Sequence, residues 1–263
     1  MGWGDEVVAA GQAQRRYDAD PSTRIAITDL TGKVRWHPIW DGNPILATPM
    51  DVANGEPVRF VMSAPNCRPY IVYPFSVDTG WTFNREFKCR EHRARIYLTP
   101  SERWRGADAL ERYGSYVLIE PYTKHDNFRW PIARWAELVA ACPDLTFVQH
   151  THADSVLIPG VTHFEQATFR EACGLLTAAS AYVRSESGLC HAAAALGVPQ
   201  VTLFGGCMDP EVMAGYPGQE VICDDGPESP CGSWKPCRHC VDAMDRIDVA
   251  DVVAALRRVL RRH

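Results

Sequence analysis

Within seven residues, Ser185-Glu186-Ser187-Gly188-Leu189-Cys190-His191 offers a carboxylate, two hydroxyls, a bare glycine and an imidazole. An apolar run at 178–183 comes before it, and small residues predict a helix over 189–196. A strand predicted over 200–204 then ends in the turn Gly205-Gly206. A helix start leaves backbone N–H groups unpaired and carries about half a positive charge, so anions settle there. Gly188 removes a side chain where phosphates could approach the backbone. Glu186 and Ser187 stand in the same mouth and suit hydrogen bonds to a sugar or a ribose. His191, one turn into the helix, suits a phosphate or sugar contact, or equally a packed core position. The plainer alternative makes Ser187 an ordinary N-cap in an α/β domain.

Such groups need a sheet edge to present them. From about Tyr113 onward, strands predicted at 116–119, 145–149, 181–184 and 200–204 alternate with helices at 131–141, 168–178 and 189–196. That rhythm argues for a parallel sheet covered on both faces. Lys124 and Arg129 fall in the loop after the first of these strands, at the edge where Ser187 and Gly188 open, so a phosphate role is assigned to at least one of them. Before residue 113 the pattern is sparser: a helix over 5–16, strands over 24–28 and 33–36 around the turn at 29–32, and short strand candidates at 58–62, 70–73 and 96–98. Near the end, Asp248 is placed to cap an amphipathic helix with Val249, Val252, Leu256 and Leu260 on one face. Its late arginines read as a solvated end that suits the helix dipole.

The chain has 263 residues, 46% hydrophobic and 22% charged, which fits one large or two small globular domains. A formal net charge of -5 argues against nonspecific binding to a nucleic-acid backbone. No apolar run reaches the length of a membrane span, and the first residues lack a signal-peptide pattern, so a cytoplasmic address is expected. Neither the P-loop nor the dinucleotide-binding glycine motif occurs. Ten cysteines are present in a chain too long to need a disulfide framework. Cys142, Cys173 and Cys190 sit in helical surroundings and read as buried thiols. Cys237-Arg-His-Cys240 has a chelating gap, and Cys231 and His239 could complete a site. A single such pair is not a zinc ribbon, so reduced or loosely structural cysteines are favoured over a zinc site.

The stretch from Glu186 to Pro210 resembles the donor-binding motif of glycosyltransferase family 9, the heptosyltransferase-like enzymes. Ser187, Gly188, His191, Gly197, Pro199, Phe204, Gly205, Asp209 and Pro210 keep that pattern, while Glu186 replaces its aspartate. Ile119-Glu120-Pro121 followed by Arg129-Trp130-Pro131 and Trp135 is similar to a second family element. Gly2-Trp3-Gly4-Asp5 is similar to the Gly-Asp turn that supplies the family's catalytic aspartate. The resemblance covers the C-terminal half well and the N-terminal half poorly. It implies an α/β, GT-B-like fold of two Rossmann-like domains, the N-terminal one reduced. Residues 1–108 would be the acceptor side, 109–245 the nucleotide-sugar domain, and 246–263 a helix that could cross back to the first domain. The family's first strand precedes its Gly-Asp turn, whereas this chain opens on the turn. Either the start is truncated or the form is compact.

The activity so implied is inverting, metal-independent transfer of a sugar from a nucleotide sugar to a hydroxyl acceptor. The alternative is a non-catalytic nucleotide- or sugar-binding protein of the same fold. Asp5 is the candidate base, since a carboxylate on such a turn would face the cleft, although it could instead simply cap the first helix. Lys124, Arg129, Glu186, Ser187, Gly188 and His191 are the candidate donor-binding residues. Trp36, His37, Trp40, Asp41 and Asn43 offer stacking faces and hydrogen bonds for an acceptor, or core packing. No cofactor is required, with the nucleotide sugar as substrate and a structural zinc at Cys231, Cys237 and Cys240 the unfavoured option. The expected partners are the nucleotide sugar and a saccharide or other hydroxyl-bearing acceptor. Nucleic acid is not indicated, and modified DNA stays among the acceptors left open.

Overall fold

The computed structural model describes residues 2–63, 68–72, 80–151, 154–165, 168–224 and 226–262. The helices are α1 (Trp3–Ala19), α2 (Pro49–Ala53), α3 (Pro100–Tyr113), α4 (Ile132–Ala140), α5 (Phe169–Leu176), α6 (Gly188–Leu196), α7 (Pro210–Met213), α8 (Arg238–Arg246) and α9 (Val249–Arg261). The strands are β1 (Arg24–Thr28), β2 (Val58–Met62), β3 (Val117–Glu120), β4 (Phe147–Thr151), β5 (Thr162–Glu165), β6 (Ala181–Ser185), β7 (Gln200–Phe204) and β8 (Gln219–Cys223).

The large sheet is parallel throughout, in the order β5-β4-β3-β6-β7-β8. Its central strands β3, β4, β6 and β7 are buried along their whole length, as strands covered on both faces must be. Alternation assigns the faces. Leu118, Val148 and Tyr182 pack with α1, α5 and α6, whereas Val117, Ile119 and Val183 pack with α4 and α9. The strand order reverses between β3 and β6, and in open α/β sheets ligands bind in the crevice at such a switch point.

The N-terminal unit is much smaller. Strands β1 and β2 pair in parallel, Arg24 opposite Val58, and α1 packs between this ribbon and α6. The expected strand at 33–36 is reduced to one antiparallel bridge between Thr28 and Val34, because the next stretch of the β1 edge is taken by residues 45–47, with Ile25 N donating to the Ile45 carbonyl at 2.8 Å and Ala47 N to the Ile25 carbonyl at 2.9 Å. The expected strand at 70–73 is likewise one bridge, Ile71 to Phe83, and Tyr73 lies outside the described residues. Ile96 and Leu98 are buried, and residues 96–98 pair with no strand among the described residues.

The division at 108/109 falls inside α3, whose Thr99–Glu102 capping box and C-terminal Gly114 (φ 69°) define one continuous helix. This helix packs closely on α5: a Cβ at Gly174 would stand 1.9 Å from the Glu102 carbonyl oxygen. The last helix does not cross to the small unit. Its buried Val252, Ala255, Leu256 and Val259 pack on the large sheet beside α4. No helix among the described residues is long and apolar enough to cross a membrane.

Candidate active site

A cavity of about 630 Å³ opens at the switch point. The loop after β3, the loop after β6 and the first turn of α1 meet there. Asp5, Lys124, Glu186, Ser187, Gly188 and His191 all line it. The candidate base and most of the candidate donor residues therefore share one cavity, although they come from three distant segments.

The contact between α1 and α6 brings them together. A Cβ at Gly4 would lie 2.7 Å from Gly188 Cα, and one at Gly188 would lie 2.8 Å from Gly4 N. Gly188 thus serves a backbone approach between two helix starts, a role that the phosphate reading alone did not contain. Ser187 occupies the N-cap of α6 in extended conformation, yet its side chain makes no capping hydrogen bond. The helix start faces the cavity without a side-chain cap, which suits an anion.

Asp5 is the third residue of α1, and Gly2 rather than Asp5 holds the N-cap position. Tyr70 Oη donates to Asp5 Oδ1, and Arg68 Nε donates to the same oxygen at 3.2 Å. Arg68 Nη2 stands 3.2 Å from Asp5 Oδ2. The carboxylate is therefore tied to the cavity wall rather than to its own helix. Arg68 also lies over the Trp81 ring at 4.7 Å, and Trp81 meets Trp234 edge-on at 4.2 Å. Tyr70, Trp81 and Trp234 line the cavity with Arg68, and sequence reasoning missed all four. They have no shared spacing, and only the fold gathers them.

A largely buried ion pair, Glu120 with Arg184, also lines the cavity. Arg184 Nη1 donates to Glu120 Oε2 at 2.6 Å, and the Tyr182 hydroxyl donates to the same oxygen at 3.1 Å. Burial opposes ionisation of Glu120, but Arg184 and the nearby His150 outweigh it and hold the carboxyl down to about 2. Among the described residues Glu186 has no such partner in hydrogen-bond range, with His191 Nε2 3.9 Å away. Burial pushes its carboxyl up to about 7, against the opposing pull of Arg184 and with help from Asp5. Burial also lowers His191 to about 4, leaving a neutral imidazole whose Nδ1 lies 2.8 Å from the Tyr216 hydroxyl.

Glu186 therefore carries a pH signature. The folded chain holds this proton more tightly than the unfolded chain, whose carboxyl titrates near 4.5. Stability falls as pH rises from 4.5 toward 7, and the loss levels off above that. Glu186→Gln is expected to be more stable than wild type by on the order of 3 kcal/mol at about pH 8, and equal to it at about pH 4. Urea unfolding at the two pH values checks this, and equal stability at both would refute it.

Other expected site residues lie elsewhere. Arg129 is exposed, pairs with Asp126 at 3.0 Å and does not line the cavity, because the 3-10 turn at 126–128 directs it outward. The group Trp36, His37, Trp40, Asp41 and Asn43 does not line it either. Trp40 is buried and donates to the Glu6 carbonyl at 2.8 Å, and Trp36 donates to Asp41 at 2.7 Å. Buried Asn43 accepts from Ile45 N at 3.2 Å, and His37 stands edge-on behind Trp3 at 4.6 Å. Their aromatic area goes to the core between α1 and the small sheet. The C-terminal cysteines do converge: Cys231, Cys237, His239 and Cys240 place their ligand atoms within 4.8 Å of one another.

Residues 84–239 match the family model described as glycosyltransferase family 9 (heptosyltransferase). No curated protein matches the chain in sequence. Among solved structures, E. coli ADP-heptose lps heptosyltransferase II superposes with a TM-score of 0.64 at 14% identity, over 100% of this chain and 97% of that one. A glycosyl transferase family 9 protein from Veillonella parvula gives 0.68 at 12% identity, over 100% and 95%. TibC, an iron-containing dodecameric glycosyltransferase from enterotoxigenic E. coli, gives 0.66 at 14% identity, over 99% and 76%. At these identities the likeness is one of fold, and the α/β, GT-B-like architecture holds for this chain.

Proposed function

The chain belongs to glycosyltransferase family 9, the heptosyltransferase family, and from that membership we propose that it carries out inverting, metal-independent transfer of a sugar from a nucleotide sugar to a hydroxyl acceptor. The observation that supports this most is the single cavity shared by Asp5 and the uncapped start of α6. The donor diphosphate lies against the α6 N-terminus and Lys124, while Glu186 and Ser187 hydrogen-bond the sugar or ribose. The acceptor hydroxyl enters beside Trp81 and Trp234, whose ring faces suit a saccharide. Its oxygen attacks the anomeric carbon opposite the diphosphate, Asp5 takes its proton, and the bond to the diphosphate breaks. The charge left on the leaving group meets Lys124 and the helix dipole, with no divalent ion needed for that step.

The acceptor side is assigned to residues 1–98 rather than 1–108, since α3 packs on α5. An ADP-sugar is the first donor class to test. TibC has been solved with ADP-D-beta-D-heptose and the E. coli heptosyltransferase WaaC with ADP, and both share this fold. Incubated with ADP-heptose and a saccharide acceptor, the chain is expected to release ADP, with magnesium and manganese neither required nor stimulatory. Lys124→Ala is expected to weaken donor binding roughly tenfold, less than a desolvated contact would lose, because Lys124 is exposed. A strict divalent-ion requirement would overturn the mechanism. Tight donor binding with no ADP release for any acceptor would favour a binding role.

A further inference from the structure

We infer that Cys231, Cys237, His239 and Cys240 form a closed site for one thiophilic first-row metal ion, which pins the segment carrying Trp234 into the cavity wall. Three thiol sulfurs and one imidazole nitrogen already lie within 4.8 Å of one another, with Cys231 and Cys240 sulfurs 3.2 Å apart. Sulfurs about 2.3 Å from a tetrahedral ion stand roughly 3.8 Å apart, so small side-chain shifts complete the geometry. Three thiolates and one imidazole fill all four positions and leave none open for substrate, the arrangement of a structural site.

The histidine is also oriented for the task. His239 Nδ1 faces Cys240 Sγ at 3.9 Å, while Nε2 lies 3.3 Å from Ser229 Oγ. A liganding imidazole typically has its second nitrogen held by an outer acceptor, and Ser229 stands in that place. The ring rests on Gly206, where a Cβ would come within 2.2 Å of His239 Cε1, so its seat depends on a glycine there.

The consequence for the cavity follows from the chain path. Between residue 226 and the start of α8 the described segment contains no strand or helix. Asn127 Nδ2 donates to the Ser233 and Lys235 carbonyls at 2.8 and 2.9 Å, and Asn127 Oδ1 accepts from Cys237 N at 2.9 Å. Trp81 N donates to the Gly232 carbonyl at 2.9 Å. With the metal cluster, these bonds fix Trp234 against Trp81. None of the four ligands lines the cavity, so the ion's role is positional and separate from sugar transfer.

Elemental analysis of the full chain, purified under reducing conditions, is expected to give about one zinc or iron per chain, and it tells the two metals apart. Cobalt(II) added to the metal-stripped chain is expected to produce thiolate charge-transfer bands and the visible bands of a tetrahedral site. Cys237→Ser and His239→Ala should lose those bands. Cys207→Ser should keep them, because the Cys207 thiol, although it also approaches Cys231 and Cys240, is directed to the Ser233 carbonyl at 3.1 Å; the distant Cys142→Ser should keep them too. Absence of both native metal and cobalt bands in a chain with native helical circular dichroism would overturn the site. A Cys231–Cys240 disulfide in the freshly purified chain would do the same. Bands kept in His239→Ala but lost in Cys207→Ser would overturn the fourth ligand. Wild-type metal content is read without any variant, donor or acceptor, so neither misfolding of a variant nor failure of the transfer reading affects it.

Discussion

Asp5→Asn will keep the fold and the donor affinity while lowering turnover by about 10²–10⁴-fold, the span that a positioned general base supplies. The substitution isolates chemistry from structure. The N-cap of α1 is Gly2, and the Asp5 oxygens face Tyr70 and Arg68 instead of the helix start. An asparagine oxygen still accepts from the Tyr70 hydroxyl, but it takes no proton from an acceptor. The lost charge weakens the tie to Arg68 and removes a favourable dipole contact worth about 0.3–1 kcal/mol, far below the effect expected on rate. Turnover, donor affinity and thermal unfolding measured side by side decide it. Reduced stability with unchanged specific activity would make Asp5 structural.

The largest expected effect on stability belongs to Arg184→Met. Glu120 and Arg184 are 4% and 7% exposed, so removing the cation strands a carboxylate in the interior. Breaking a buried pair from one side costs about 3–5 kcal/mol. The Glu120 carboxyl titrates near 2 in the folded chain against 4.5 unfolded, so the pair's contribution is present above 4.5 and lost as pH falls toward 2. The gap between wild type and variant is therefore expected to narrow on acidification. The double variant Glu120→Gln with Arg184→Met should recover much of the loss at neutral pH, since no unpaired charge then remains. Chemical unfolding of the three proteins at two pH values measures this. An Arg184→Met chain within about 1 kcal/mol of wild type would show that the pair is dispensable.

The site was partly legible because some of its signals are local. Glu186, Ser187 and Gly188 lie where a buried strand gives way to a small-residue helix, and that transition shows in a dozen residues. The Asp248 cap of α9 is equally local, its Oδ1 accepting from Ala250 N at 2.8 Å. The α3 helix was missed because its polar residues mask the apolar period, although Thr99-Pro100-Ser101-Glu102 carries a capping signal. The group at 36–43 lies outside the cavity for a different reason. A tryptophan's ring is the same in a core or a cleft, and residue type does not say which way Trp36 and Trp40 point.

Periodicity and turn chemistry, acting over a few residues, determined the parallel α/β sheet and the loop that opens α6, while Asp5 entered as a candidate base through the resemblance of residues 2–5 to a family turn. Tertiary structure alone decided which of those groups meet. Asp5 is joined to Arg68 and Tyr70 across more than sixty positions, Glu120 to Arg184 across sixty-four, and Asn127 to the cysteine segment across more than a hundred. Such pairs have no spacing to read. They form because burying the two faces of the sheet brings its loops to one edge, and that burial is a property of the whole fold.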